Sequence, residues 1–516
     1  MTTDNRRQFL ADVGRGMLIS SVGTATALDL GLVQSSASEP TSRVTFGSLE
    51  PMVSLMQESS PDELLPKLVD RLNAGTSLKT LVSAGALANV RAFAGQDYIG
   101  YHTFMAMLPA LQMSRQLPQA HQPLPVLKVL HRNSRQIQSE QRSHEDGLPV
   151  VHATSTKERP DGEQLRDAVR AADWKAAESK FAAICEGPTG EAFNHLQLSV
   201  QEEVDVHRVV LSWRSLAMLD IAGGEFAHTL LRQSVRYCVD VEQRRREKNY
   251  EPSAIRELLP RLLTEHRLMD KPAGKRSGDD TWLSDLANTI FSGTRDQAAT
   301  AVAIALAEGF APEDVGEAIS LAANQLVLHD PGRLEKYSSK EKPPGCVHGD
   351  SVGVHASDAA NAWRNISRVG NSRNRVSSLI VGAFHTAGQL RWASPDPYPY
   401  HDRIEDVRSN EASTLHGQLE EAIRANDQAL ACAIVQRYGN LKLPVEPLRD
   451  VLLKYAVSED GALHAEKFYQ TVTEEYATTR PAFRWRQFIA LARVTASEYG
   501  FPAPGYAEAR ELLKLG

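Results

Sequence analysis

Cysteine is scarce in this chain, with four in 516 residues. Cys185, Cys238, Cys346 and Cys432 stand far apart, with no C-x-x-C and no C-x-x-C-H. That argues against a thiolate zinc site and against covalently attached haem. The G-x-S-x-G elbow, the Walker loop and a G-x-G-x-x-G following a strand are also missing, and His144-Glu145-Asp146 lacks the second histidine of H-E-x-x-H. Serine-hydrolase, nucleotide-binding and zincin chemistry therefore have little support. There is no basic face either. The 57 basic and 64 acidic residues give a net charge of −7, and the one dense basic run, Arg244 to Lys248, is interleaved with acid and reads as a solvated helix face. Nucleic acid is not an expected partner. Beyond the N-terminus no run approaches the ~20 apolar residues of a membrane-spanning helix, so the mature chain is expected to have no transmembrane segment.

Residues 1–37 read as a signal peptide. Asn5-Arg6-Arg7-Gln8-Phe9-Leu10 has the form of a twin-arginine export motif, followed by a mildly apolar stretch and the small-x-small pattern Ser35-Ser36-Ala37. The expected partner is the twin-arginine translocase, and the expected location is the periplasm or another exported site. That route carries folded proteins, often with a cofactor already inserted, and so favours a bound metal. Residues 38–61 are polar, rich in Ser, Glu and Pro, and read as a linker.

From residue 62 the pattern is helical nearly throughout. Alternating β-type patterns with Asn-Gly turns are almost absent, whereas Ala, Leu, Glu and Arg recur with apolar residues at three-to-four spacing. The class is all-α. Four amphipathic segments, around Leu65, Leu165, Leu283 and Leu419, each precede an Ala-rich helix and then a helix bearing a histidine: His102, His207, His355 or His464. The reading is of duplicated multi-helix units rather than a thin solenoid. Two lie in a first half, 62–270, and two in a second half, 281–516, joined by a linker at 271–280.

The histidines stand out because they sit on apolar, small-residue helices. Val204-Asp-Val-His207 through Trp213-Arg214 echoes Val352-Gly-Val-His355 through Trp363-Arg364, and Phe226-Ala-His228-Thr echoes Ala383-Phe-His385-Thr. A buried imidazole needs partners for two ring nitrogens. Histidines at matching places on repeated helices converge in a bundle core, as metal ligands do. Imidazole-rich ligation suits iron, copper, zinc or nickel. Glu203, Glu225 and Asp358 are the candidates to orient the rings. Trp363, Tyr398 and Tyr400 are candidates to line a substrate pocket, the two tyrosines in a Pro/Tyr loop after His385. No catalytic residue stands out, and whether His131 or His464 joins the cluster stays open.

The motif Val354-His355 to Ala362, together with Phe384-His385-Thr386 and its echo at Phe226 to Thr229, resembles the questin oxidase-like family. That resemblance implies a largely helical protein with a mononuclear non-haem iron centre, using dioxygen on polycyclic aromatic substrates. It carries over His102, His228, His355 and His385 as ligands, with His207 as a fifth. The expectation is an exported metal-dependent oxidoreductase acting on an organic substrate, aromatic compounds among the candidates. The alternative is a metal-free helical-repeat protein that binds or scaffolds partners in the cell envelope.

Overall fold

Short polar residues start many of the helices. Asp97, Asp205 and Ser351 each turn a side-chain oxygen back onto an early backbone N–H, and Thr294 with Gln297 forms a capping box. Small residues then let the helices close up. A Cβ on Gly353 would stand 2.4 Å from the backbone nitrogen of Val327 on the neighbouring helix, so only glycine permits that crossing. The computed structural model describes residues 43–140, 148–153, 158–270, 272–340, 342–347 and 351–515. Among them are 23 α-helices and no strands, only isolated bridges, which makes the protein all-α. Thr45–Gly516 is one compact unit. No helix among the described residues is long and apolar enough to cross a membrane. The proposed signal peptide lies outside the described residues.

Twenty of the helices fall into four groups of five. The first group is α1 (Glu50–Glu58), α2 (Pro61–Asn73), α3 (Leu78–Phe93), α4 (Tyr98–Ser114) and α5 (Pro123–Ser139). The second is α6 (Gly162–Arg170), α7 (Trp174–Ile184), α8 (Thr189–Val200), α9 (Val206–Ala222) and α10 (Ala227–Glu247), and α11 (Ile255–Glu265) follows it. The third is α12 (Asp280–Ser292), α13 (Arg295–Ala307), α14 (Pro312–Leu328), α15 (Val352–Val369) and α16 (Ser372–Thr386), followed by the short α17 (His401–Asp406). The fourth is α18 (Ala412–Arg424), α19 (Gln428–Asn440), α20 (Val445–Ser458), α21 (His464–Thr478) and α22 (Trp485–Glu498), with α23 (Tyr506–Leu512) last. In every group the first helix packs on the third, the second on the fifth, and the fourth on the fifth.

The fourth helices make the centre. α4 touches α9, α9 touches α15, α15 touches α21, and α21 returns to α4, closing a ring. Each group thus gives one helix to a four-helix core, and its other four helices surround it.

One boundary expectation needs correction. The supposed linker 38–61 contains α1, which buries Val53 and Met56 and packs on α3. It is the first helix of the first group, so the segment at Leu65 corresponds to the second helix rather than the first. The polar composition concealed a helix with only a narrow apolar stripe. Residues 272–279 of the expected linker are irregular and tied to their neighbours. Arg276 exchanges backbone hydrogen bonds with Gly309 and Ala311 at 2.9 and 2.8 Å, and Gly278 donates to Asp314 and accepts from Arg480.

Candidate functional site

Each core helix carries a histidine at its N-terminal end. His102 is in α4, His207 in α9, His355 in α15 and His464 at the start of α21. Their rings form a closed quartet. Centroids are 4.8 Å apart for His102–His207, 5.8 Å for His207–His355, 5.1 Å for His355–His464 and 5.2 Å for His464–His102.

The hydrogen bonds fix which nitrogen faces inward. Nδ1 of His102 meets the carbonyl of Tyr98 at 2.6 Å, Nδ1 of His464 meets the carbonyl of Ala462 at 3.1 Å, and Nδ1 of His207 meets Asp205 at 3.2 Å. These partners only accept, so Nδ1 carries the proton and Nε2 keeps its lone pair. Nε2 of His102 and Nε2 of His207 are buried without a hydrogen-bond partner, and Nε2 of His464 lies 3.2 Å from Nε2 of His355. An oxygen acceptor on the outer nitrogen and an inward lone pair is how metal-binding histidines are held.

Two of these supports are built by the local fold. Asp205 caps α9 through the N–H of His207 and also accepts from the Tyr237 hydroxyl at 2.6 Å. Burial pushes the Asp205 carboxyl upward, but its bonds to His207 and Tyr237 prevail and hold it well below the usual range. Before α21, Gly461, Ala462 and Leu463 take φ of 48°, 46° and 67° in succession. Such left-handed backbone costs roughly 1–2 kcal/mol per non-glycine residue. Here it turns the Ala462 carbonyl onto His464. Lys128, buried on α5, braces the turn, with Nζ 3.1 Å from the carbonyl of Ala456 and 2.7 Å from Glu466.

Two of the imidazoles, His102 and His464, are held neutral. Burial, then Lys467, press His102 and His464 well below the usual histidine range. Four helix N-termini meeting at the layer add positive potential in the same sense. Beneath the layer lie Asp358 and Lys467. Burial raises the Asp358 carboxyl, which accepts from Thr471 at 2.7 Å, and burial lowers the Lys467 ammonium to about 8.

A cavity of about 530 Å³ opens against the layer, lined by Glu203, Asp205, His207, Arg295, His355, His385 and Gln389. A second cavity, of about 500 Å³, shares Val352 and Gln389 with it and is otherwise lined largely by apolar groups, including Leu326, Leu334, Tyr337 and Ala393. His385 stands on the wall of the first cavity and makes no ring contact with the quartet. Its Nδ1 accepts the indole N–H of buried Trp363 at 3.2 Å, and burial lowers it to about 4.

Of the residues singled out in the sequence, the structure brings together His102, His207 and His355, places His385 beside them, and adds His464. His228 is elsewhere. It opens α10, nine residues before the Tyr237 that bonds Asp205, or ~13 Å along a helix, and its neighbours are Phe181, Arg232 and Glu178. Glu203 lines the cavity, whereas Glu225 is exposed on a 3₁₀ turn. Trp363 is a support behind His385 rather than a lining residue. Tyr398 and Tyr400 stack on each other at 4.4 Å, with Arg493 over Tyr398, and do not line the cavity.

Sequence reasoning missed Asp205, Arg295, Gln389 and the Ala462 turn. Asp205 had a readable signal, as an N-cap acid two residues before a helix-opening histidine. Compared with known proteins, the chain matches no family model, no curated protein and no solved structure.

Proposed function

We propose that the histidine quartet holds a transition metal, with iron the first candidate, and that the protein is a metal-dependent oxidoreductase acting on an organic substrate. The observation that carries this reading is the pair of buried, partnerless Nε2 atoms on His102 and His207, each opposite an Nδ1 already committed to an oxygen. Leaving a polar atom buried and unpaired costs ~1–3 kcal/mol, and a metal in the ring would relieve it. The residues fit such a group. The Nε2 separation of 3.2 Å between His355 and His464 matches the ~3.0–3.4 Å edge expected of neighbouring ligands bound at ~2.1 Å. Coordination by all four would need the rings to close inward, since no three of their donor atoms lie within 4.8 Å of one another.

Bound iron would supply dioxygen chemistry. The chain's own residues do the rest. Asp205 and the carbonyls of Tyr98 and Ala462 aim the rings. His385, whose Nδ1 accepts from Trp363, carries its proton on the other nitrogen and offers a donor to a substrate oxygen. Arg295 brings positive charge to the cavity wall, and the adjoining apolar cavity suits a hydrophobic, aromatic body. The resemblance to the questin oxidase-like family points to the same chemistry, with His207 and His464 in the ring in place of His228 and His385. Export by the twin-arginine route belongs to the same proposal, since that route accepts a folded, metal-loaded chain.

One observation favours a metal-free scaffold. His355 and His464 satisfy each other at 3.2 Å without a metal. Elemental analysis of the purified chain decides between the two. Near-stoichiometric iron that falls away in His355→Ala and His464→Ala supports the oxidoreductase. A folded, metal-free wild type ends it.

A further inference from the structure

Outside the quartet, three side chains from distant parts of the sequence meet. Asp62 stands in the first turn of α2, His131 in the body of α5, and Glu508 in α23 near the C-terminus. One ligand atom from each lies within 4.8 Å of the other two. Asp62 is exposed and Glu508 half-buried, but His131 is only 7% exposed.

None of the three has a hydrogen-bond or ion-pair partner among the described residues, and Nδ1 of His131 is wholly buried without one. Gly505, at φ +78°, lies directly on the ring: a Cβ there would stand 2.7 Å from Cγ of His131. Two carboxylates are thus held together with nothing to neutralise them. Burial and the Asp62 charge both push the Glu508 carboxyl upward. The nearby cations do not answer this need. Arg132 pairs with Asp460 at 3.1 Å, and no ion pair among the described residues joins Arg135 to either acid. Like charges without a counter-charge repel, and a buried imidazole without a partner is costly.

We propose that Asp62, His131 and Glu508 form a second metal site, for a borderline divalent cation such as Zn²⁺. One imidazole and two carboxylates suit such an ion, with water completing the shell. Bonds at ~2.0–2.2 Å require ligand atoms ~3.0–3.6 Å apart, within reach of rotamer adjustments from the present positions. The site is structural. α23 packs on α2 and α5, so a bound ion would clamp the last helix of the chain to the first group and close the outer wall.

The test is hydrogen–deuterium exchange of the metal-stripped full chain with and without Zn²⁺, read over Tyr506–Leu512. Zn²⁺ is expected to slow exchange there by about tenfold or more at saturating concentration. The Asp62→Asn/Glu508→Gln variant, which removes the repulsion and should fold at least as well, is expected to lose that protection, as is His131→Gln. Exchange that ignores Zn²⁺ in the wild type, or slows equally in the variants, would overturn the proposal. Because the readout is local to α23, it stands or falls independently of metal at the quartet.

Discussion

The same two helices, α15 and α21, meet at two buried polar places, and the two could hardly be more different. Toward their C-terminal ends Arg364 pairs with Glu475 at 2.6 Å, and Asn361 donates to the other Glu475 oxygen at 2.9 Å. Burial pushes Glu475 upward, yet these partners hold it below its ordinary value. At their N-terminal ends His355 and His464 lean on each other beside two imidazoles whose inward nitrogens have no partner. One place is answered by its own side chains and serves the fold. The other is prepared on its outer side and unfinished on its inner side, which is what a ligand site demands.

Breaking the first place should do the most damage. Glu475→Ala strands a buried guanidinium and is expected to cost ~3–5 kcal/mol in denaturant unfolding. His355→Ala is expected to cost the metal-free chain less, ~1–3 kcal/mol, because it removes a hydrogen bond to the His464 imidazole and strands no buried charge. Equal losses in the two variants would erase the distinction. Next, Asp205→Asn keeps an oxygen and the helix cap but removes the negative charge behind His207. It is expected to weaken metal binding ~10–100-fold, measured by competition with a chelator, with the fold intact.

A third test sharpens the picture of what braces the quartet. Burial pushes Glu498, under the Gly461 turn, up from 4.5 to about 8, with Lys128 opposing and Glu466, Asp460 and Glu459 adding to the rise. Between those pH values the unfolded chain has released this proton while the folded chain keeps it. Its contribution to stability is therefore full below about 4.5 and is lost as pH rises to about 8. Glu498→Gln should flatten that fall, melting several degrees higher than wild type at pH 8 and no differently near pH 4. The smallest effect is expected from Ala462→Gly. Relief of the left-handed strain, offset by a floppier unfolded chain, should stabilise by under ~1 kcal/mol in thermal melts.

Much of the fold was legible because helix periodicity is local. The recurring order of helices was visible too, and with it the pairing of His102, His207, His355 and His464 as equivalents. What escaped was anything set by direction or by weak amphipathicity. His228 imitates His385 in sequence, but it opens the helix that follows α9, whose own histidine lies at the opposite end. The two therefore sit at opposite ends of that hairpin. α1 was hidden in polar composition, which shifted the first group by one helix. Asp205 was overlooked because its neighbour Glu203 stands one helical turn from the histidine in sequence, whereas the cap geometry of α9 brings Asp205 to the ring. The tyrosines of the Pro/Tyr loop looked like pocket lining, but Arg493 holds Tyr398 beside other helices.

The closing of the ring also orders events in time. Its members leave the ribosome one by one, and the quartet is incomplete until α21 has been made and the left-handed turn before it has formed. Any metal that needs all four rings must enter a chain that already includes α21. A product truncated before α21 would carry three rings with a gap between α15 and α4, and loading would then report that synthesis had passed α21.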